Sequence, residues 1–149
     1  MNKKLYRNIG IMAGILFLAA IGVALYMFYK PHRNIAAAQA DYTLTATELY
    51  HDFRTNEAAA NQKYLAADQG KVIQVSGIIK EINHDRQGGV SLVLNDLPML
   101  SGGINCSIRL IDKEKAGKLR KGVRITVKGE CTGYMDITDE VTLINCVLM

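Results

Sequence analysis

The sequence predicts a small, mainly β domain carried behind a single long apolar helix. Two observations lead there. Residues 9–29 form a run of 21 without a charged side chain. After Gly70 the chain leaves helical spacing for alternation of apolar and polar residues. The 149 residues leave about 110 beyond the helix and its flank, enough for one domain and too few for two.

At 1.5 Å rise per residue the apolar run reaches about 31 Å, the thickness of a bilayer core. Tyr26, Phe28 and Tyr29 stand at its end, where aromatic rings favour the membrane interface. A secretory signal has a shorter apolar region, about 7–15 residues, closely followed by a small-x-small site. Ala36, Ala38 and Ala40 offer such a site, but Lys30, Pro31, His32 and Arg33 intervene, so an uncleaved anchor is expected. Lys3, Lys4 and Arg7 outweigh Lys30 and Arg33, which places the N-terminus in the cytoplasm and the domain in the periplasm or extracellular space. The expected organisation is a cytoplasmic N-terminus at 1–8, a transmembrane anchor at 9–29, a linker at 30–41 and a domain at 42–149. Gly10 and Gly14 form a GxxxG pair with Gly22 on the same face, spacing that permits a homodimer of close-packed helices; glycine is also simply common in membrane helices.

Charge follows the same division. Of 18 Lys and Arg, five flank the apolar run, leaving 13 against 14 Asp and Glu beyond residue 33. The net +4 therefore belongs to the membrane flanks, and a polyanionic partner for the domain gains little support.

Within the domain, Thr45 and Glu48 match the capping box. Ala46, Leu49, Tyr50 and Phe53 then recur at helical spacing, extended by Ala60 and Tyr64. Asn56 is a second cap, so residues 45–64 are either one bent helix or two short ones. Ile73, Val75, Gly77 and Ile79 alternate with Gln74, Ser76 and Lys80 as a first strand. Residues 85–89 are a turn, and Val90, Leu92 and Leu94 a second strand. Residues 95–103 are a loop by composition. Ile104, Cys106, Ile108 and Leu110 give a third strand. Residues 112–120 are charged and helix-prone, stopped by Lys121-Gly122. Val123, Ile125 and Val127 give a fourth strand, residues 134–140 a turn, and residues 141–148 a fifth. Five strands with a helix between the third and fourth is the order of an OB-fold Greek-key barrel.

The stretch Asn56-Glu57-Ala58-Ala59-Ala60-Asn61-Gln62-Lys63-Tyr64, then Val75-Ser76-Gly77, Gly129-Glu130-Cys131-Thr132-Gly133 and Val141-Thr142-Leu143-Ile144-Asn145-Cys146 together resemble the small OB-fold proteins of the tRNA-anti-like family over roughly residues 42–148. That resemblance implies the fold, and a membrane segment or lipoprotein signal ahead of it. It does not fix a ligand.

Candidate chemistry is sparse. Cys106, Cys131 and Cys146 lack the close pairs of a zinc site. Cys131 and Cys146 lie symmetrically about the 135–140 turn, so a disulfide between them is expected in an oxidising compartment; the alternative is three buried thiols. His32, His51 and His84 are scattered and assemble no catalytic or metal arrangement. Asp136, Asp139 and Glu140 lack the regular ligand spacing of a calcium loop and are expected to form a solvated turn. Lys118, Arg120, Lys121, Arg124 and Lys128, with Tyr134, make a candidate binding patch in which Arg124 and Lys128 face outward. Tyr134 is the only aromatic residue after Gly70, so the stacking half of a single-strand interface is missing. The expectation is a non-catalytic, membrane-tethered binding module for a protein or envelope partner, without metal or cofactor. Nucleic-acid binding is the alternative.

Overall fold

The computed structural model describes residues 3–28, 34–65, 70–86, 88–97, 101–109 and 112–149. They fall into two compact units, Met1–Arg33 and Asn34–Met149.

The first unit is helix α1 (Lys3–Phe28), 26 residues long. Its side chains are described from Met12 to Tyr26, and every one of them is exposed, including Phe17 at 68% and Leu18 at 69%. Among the described residues no helix is long and apolar enough to cross a membrane; the expected span 9–29 runs past the described side chains at both ends. Nothing lies within 4 Å of a Cβ placed on Gly14 or Gly22. The surroundings of Gly10, the side chains of Lys3, Lys4 and Arg7, and residues Tyr29, Lys30 and Arg33 lie outside what is described.

The second unit is a closed barrel of five strands: β2 (Val72–His84), β3 (Val90–Leu94), β4 (Gly103–Ile108), β5 (Arg124–Met135) and β6 (Glu140–Leu148), preceded in the chain by β1 (Tyr42–Thr45). The order β2-β3-β4-β6-β5 closes through pairing of β5 with β2. The β4–β6 pair is parallel and the other barrel pairs are antiparallel. The short helix α4 (Lys113–Ala116) falls between the third and fourth barrel strands, completing OB-fold connectivity. Strand β2 serves two barrel neighbours because a bulge between Ile79 and Glu81 re-aims it. Its first half pairs with β5 and its second with β3, as bulged strands do at barrel corners.

All five expected strands are present; β2 and β5 extend beyond their predicted ends, and Leu110, expected at the end of the third, lies outside the described residues. One strand was not expected. β1 runs parallel to β2, from Tyr42 opposite Ile73 to Thr45 opposite Ser76. It leads directly into helix α2 (Ala46–Thr55). Thr45 Oγ1 accepts from the Glu48 amide at 3.2 Å, while the Glu48 carboxylate accepts from the Thr45 amide at 2.8 Å. This reciprocal cap is worth about 1 kcal/mol. Asn56 ends α2 and caps helix α3 (Glu57–Tyr64), accepting from the Ala59 amide at 3.1 Å, so the segment is two short helices.

The barrel core holds the inward sets Ile73, Val75 and Ile79; Val90, Leu92 and Leu94; and Ile104, Cys106 and Ile108. Helices α2 and α3 add Ala46, Leu49, Phe53, Ala60 and Tyr64 to it. Gly77 admits α2: a Cβ there would lie 2.8 Å from the Ala46 Cβ. The segment read as the second half of a linker belongs to the domain. Ile35 is fully buried with Val72 and Val147, and the Lys128 ammonium donates to the carbonyls of Ala36 and Ala38, each at 2.9 Å.

Candidate ligand-binding face

The face that an OB barrel offers to ligands is the outer surface of its second and third strands, here β3 and β4. Since Val90, Leu92, Leu94, Ile104, Cys106 and Ile108 point inward, their neighbours point outward. The register aligns these into two rows, Glu81–Val93–Asn105–Thr142 and Asn83–Ser91–Ser107. Neither row contains a ring or a cation. Val93 is 3% exposed, and Asn105 Nδ2 donates to the Glu140 carboxylate at 2.8 Å. The surface is small, polar and faintly acidic.

The aromatic rings lie elsewhere, in a contiguous packed series. Tyr42 meets Tyr64 edge-on at 5.2 Å, Phe53 stacks on Tyr64 at 5.8 Å, and Phe53 stacks on Tyr134 at 6.5 Å. Each such contact adds about 0.5–1.5 kcal/mol beyond its buried area. The series joins α2 and α3 to β1 and β5, leaving these rings as packing for the helices. Lys63 lies over the Tyr64 ring at 4.8 Å and donates to Asp52 at 2.9 Å. Asp52 also accepts from the Tyr64 hydroxyl at 2.6 Å, and the hydrogen bonds from Tyr64 and Lys63 hold its carboxyl below the usual range.

The predicted basic patch does not assemble as expected. Lys118, Arg120 and Lys121 are exposed around the end of α4. Arg124 is exposed and pairs with Asp96 at 2.8 Å. Lys128 is 6% exposed, because residues 36–38 cover the side of β5 that alternation alone assigns to solvent. Tyr134 is turned into a different cluster, at the β5–β6 turn.

That cluster is centred on Asp139, which local sequence assigns to a solvated turn. Its Oδ1 accepts from the hydroxyls of Tyr50 at 2.8 Å and Tyr134 at 2.5 Å, and its Oδ2 from Ser101 at 2.7 Å. Arg54 donates to the Tyr134 hydroxyl at 3.2 Å and stands 3.7 Å from the carboxylate. Three hydroxyl donors, Tyr134 first, hold the Asp139 carboxyl down at about 2. Burial, then the bond to Asp139, pushes Tyr50 up to about 12. Asp139 has φ +57°, a left-handed conformation that aspartate tolerates better than most residues. A Cβ on Gly102 would stand 1.9 Å from the Asp139 carbonyl oxygen, so glycine is what lets the β3–β4 and β5–β6 connections close together. The signals in the sequence were Asp139 beside a turn and Tyr134 just before it; the other two donors, Tyr50 and Ser101, arrive from distant segments.

The three cysteines are free thiols and all are buried. The β5–β6 turn closes at Met135–Glu140, and bulges follow on both strands, so Cys131 lies opposite Leu143. Even an unbroken ladder from Met135–Glu140 would set Cys131 opposite Ile144 and leave Cys146 farther along the strand. The Cys106 thiol donates to the Ile104 carbonyl at 3.8 Å and the Cys146 thiol to the Leu143 carbonyl at 3.5 Å; the nearby Cys146 thiol, with burial, pushes the Cys106 thiol well above its ordinary pKa. Burial raises Cys131 to about 11. Among the described residues no group of three or more His, Cys, Asp or Glu converges as a metal site. His51 lies 3.3 Å from the Thr55 hydroxyl, beside a groove of about 330 Å³ between α2 and α3; His84 is exposed at the end of β2 and His32 lies outside the described residues.

Among solved structures, the chain is similar to a lipoprotein of Klebsiella pneumoniae subsp. pneumoniae described as a candidate nucleic acid-binding protein. They share 18% identity and a TM-score of 0.56 over 80% of this chain and 98% of that one. Lower similarity extends to the Stn1–Ten1 complex of S. pombe, with 20% identity and TM-score 0.39 over 52% of this chain and 57% of that one. It extends also to asparaginyl-tRNA synthetase of Entamoeba histolytica, with 21% identity and TM-score 0.41 over 56% of this chain and 22% of that one. No curated protein matches. The tRNA_anti-like family description matches residues 3–148, through α1 as well as the barrel, and the chain belongs to that family.

Proposed function

We propose that this protein is a membrane-tethered, non-catalytic OB-fold binding module whose domain faces the periplasm or extracellular space and engages a protein or envelope component. The observation that carries the reading is the pair of outer rows on β3 and β4, which offer polar groups and a carboxylate but neither ring nor cation. Single strands are held by phosphate neutralisation and by stacking worth about 1–3 kcal/mol per base, and this face supplies neither. Tethering is supported by a 26-residue helix, about 39 Å long at 1.5 Å per residue. Its described apolar side chains are exposed, and exposed apolar surface of that extent calls for a nonpolar surrounding.

The alternative, nucleic-acid binding, draws on the description of the Klebsiella lipoprotein and on exposed Lys118, Arg120 and Lys121. Fluorescence anisotropy of labelled single-stranded DNA and tRNA near physiological salt separates the two. Weak, salt-sensitive binding without sequence preference is expected. Micromolar or tighter affinity, lost on charge reversal at Lys118, Arg120 and Lys121, would establish the alternative. Crosslinking and pull-down from the native membrane then identify the partner.

A further inference from the structure

The turn between β5 and β6 carries an isoleucine at its tip. Ile137 is 95% exposed, where turns ordinarily place glycine, asparagine, aspartate or serine. Met135, just before it, is exposed as well. The bonds that Tyr50, Tyr134 and Ser101 donate to Asp139 hold the turn in one shape. A side chain presented on a fixed turn loses little freedom on binding. Asp136, Asp139 and Glu140 flank it in the chain, and Arg54 pairs with Asp139, so the charge around the tip is net acidic. The opposite end of the same hairpin is its complement. Where β5 starts and β6 ends, Leu119, Ile125, Leu148 and Met149 line an open groove of about 260 Å³. Arg124 stands in its wall, and Lys118, Arg120 and Lys121 are exposed beside Leu119 in the chain. Asp96 offsets one of these four charges through its pair with Arg124. The 12 residues of β5 run from groove to turn, roughly 40 Å of strand, so one domain cannot seat its own tip.

We propose that the β5–β6 turn of one chain seats in this groove of a second copy, with Ile137 against Leu119, Ile125 and Leu148 and the acidic flanks of the turn against the basic rim. The two halves are different surfaces, so the contact is head-to-tail. Each joined pair keeps a free tip and a free groove, and copies add in rows instead of stopping at two. Burial of the apolar tip supplies the affinity. The opposite charges fix which end meets which and quicken the encounter. This self-association goes beyond the partner proposed for the β3–β4 face and does not rest on it.

The test uses two populations of the full chain in detergent, one carrying Thr138→Cys beside the tip and the other Met149→Cys at the groove. They are mixed and treated with a short bismaleimide. The native thiols are buried, and wild-type chain treated alike is the control. The mixture should give a two-chain product joined between positions 138 and 149, and neither population alone should give one. Adding Lys118→Glu, Arg120→Glu and Lys121→Glu to the Met149→Cys chain should abolish most of that product. Chains paired only through α1 in a shared micelle would keep it, so the two kinds of contact are told apart. Unlabelled wild-type chain should compete for the groove, and Ile137→Ser should compete roughly tenfold less well, the worth of one buried aliphatic side chain. No product in the mixture, a product of the Thr138→Cys chain with itself, a yield indifferent to the charge reversals, or equal competition by Ile137→Ser overturns the proposal.

Discussion

Replacing Asp139 with asparagine removes one charge and leaves the backbone undisturbed, because asparagine accepts the same left-handed conformation, φ +57° here. The wild-type carboxyl falls from 3.8 to about 2, a shift of about 1.8 units or roughly 2.4 kcal/mol at 1.36 kcal/mol per unit. The Asp139 side chain is 25% exposed but its partner Arg54 is 56% exposed, so the ion-pair part is screened. The hydroxyl bonds dominate, and roughly 1.5–2 kcal/mol remains. For a barrel of this size that lowers Tm by about 5–10 °C. The sign follows from a depressed folded-state pKa. The stabilisation is complete above the unfolded value near 3.8 and disappears as pH falls through about 2. Thermal melts of Asp139→Asn beside wild type at pH 7, 4, 3 and 2 should therefore differ most at pH 7 and converge at pH 2. A difference under 0.5 kcal/mol at pH 7, or one that persists undiminished to pH 2, would falsify the assignment of the three hydroxyl bonds to Asp139; the 0.5 threshold is about the spread of ordinary surface substitutions.

Lys128→Met keeps the bulk but strands the Ala36 and Ala38 carbonyls; about 1–2 kcal/mol should be lost, read as a lower urea midpoint, with faster proteolysis within residues 34–41. Gly77→Val drives a side chain into Ala46 and Leu94, whose Cβ atoms lie 2.8 and 3.1 Å from the added Cβ; it should cost about 1–3 kcal/mol by overpacking, whereas Gly22→Val, with nothing within 4 Å, should leave the domain's melt unchanged. A reporter active only outside the cytoplasm, fused after Met149, should be active and should stay with the membrane through a carbonate wash; a soluble product starting near residue 41 would show cleavage in the Ala-rich segment instead.

Much of the barrel was legible because its strands obey local rules. Alternation at Ile73–Val75–Ile79 and at Val90–Leu92–Leu94, and the caps at Thr45 and Asn56, are readable from neighbours a few residues apart. What escaped depends on segments far apart in sequence. Lys128 alternates as an outward residue, yet the chain ninety residues earlier folds over it. Tyr42–Thr45 is too short and mixed to announce a strand, and exists because the β2 edge is free beside it. Cys131 and Cys146 are symmetric about residue numbers 138 and 139, but the hairpin closes at Met135–Glu140 and its bulges set Cys131 opposite Leu143. The Asp139 cluster draws two of its donors from Tyr50 and Ser101, far back in the chain, while Tyr134 comes from the same hairpin, and no local pattern joins the first two to it.

The attachment of residues 34–45 to the barrel also sets how the domain bears load. β1 lies parallel to β2 with its residues paired from Tyr42 to Thr45. Tension applied from the N-terminal side along the strand therefore loads those bonds together in shear instead of peeling them one by one. Ahead of them, the Lys128 bonds and the buried Ile35 take the first strain. A pull on the N-terminal side of the domain is borne at this entrance, and the β3–β4 surface, which joins β2 beyond its bulge, keeps its shape while the entrance holds.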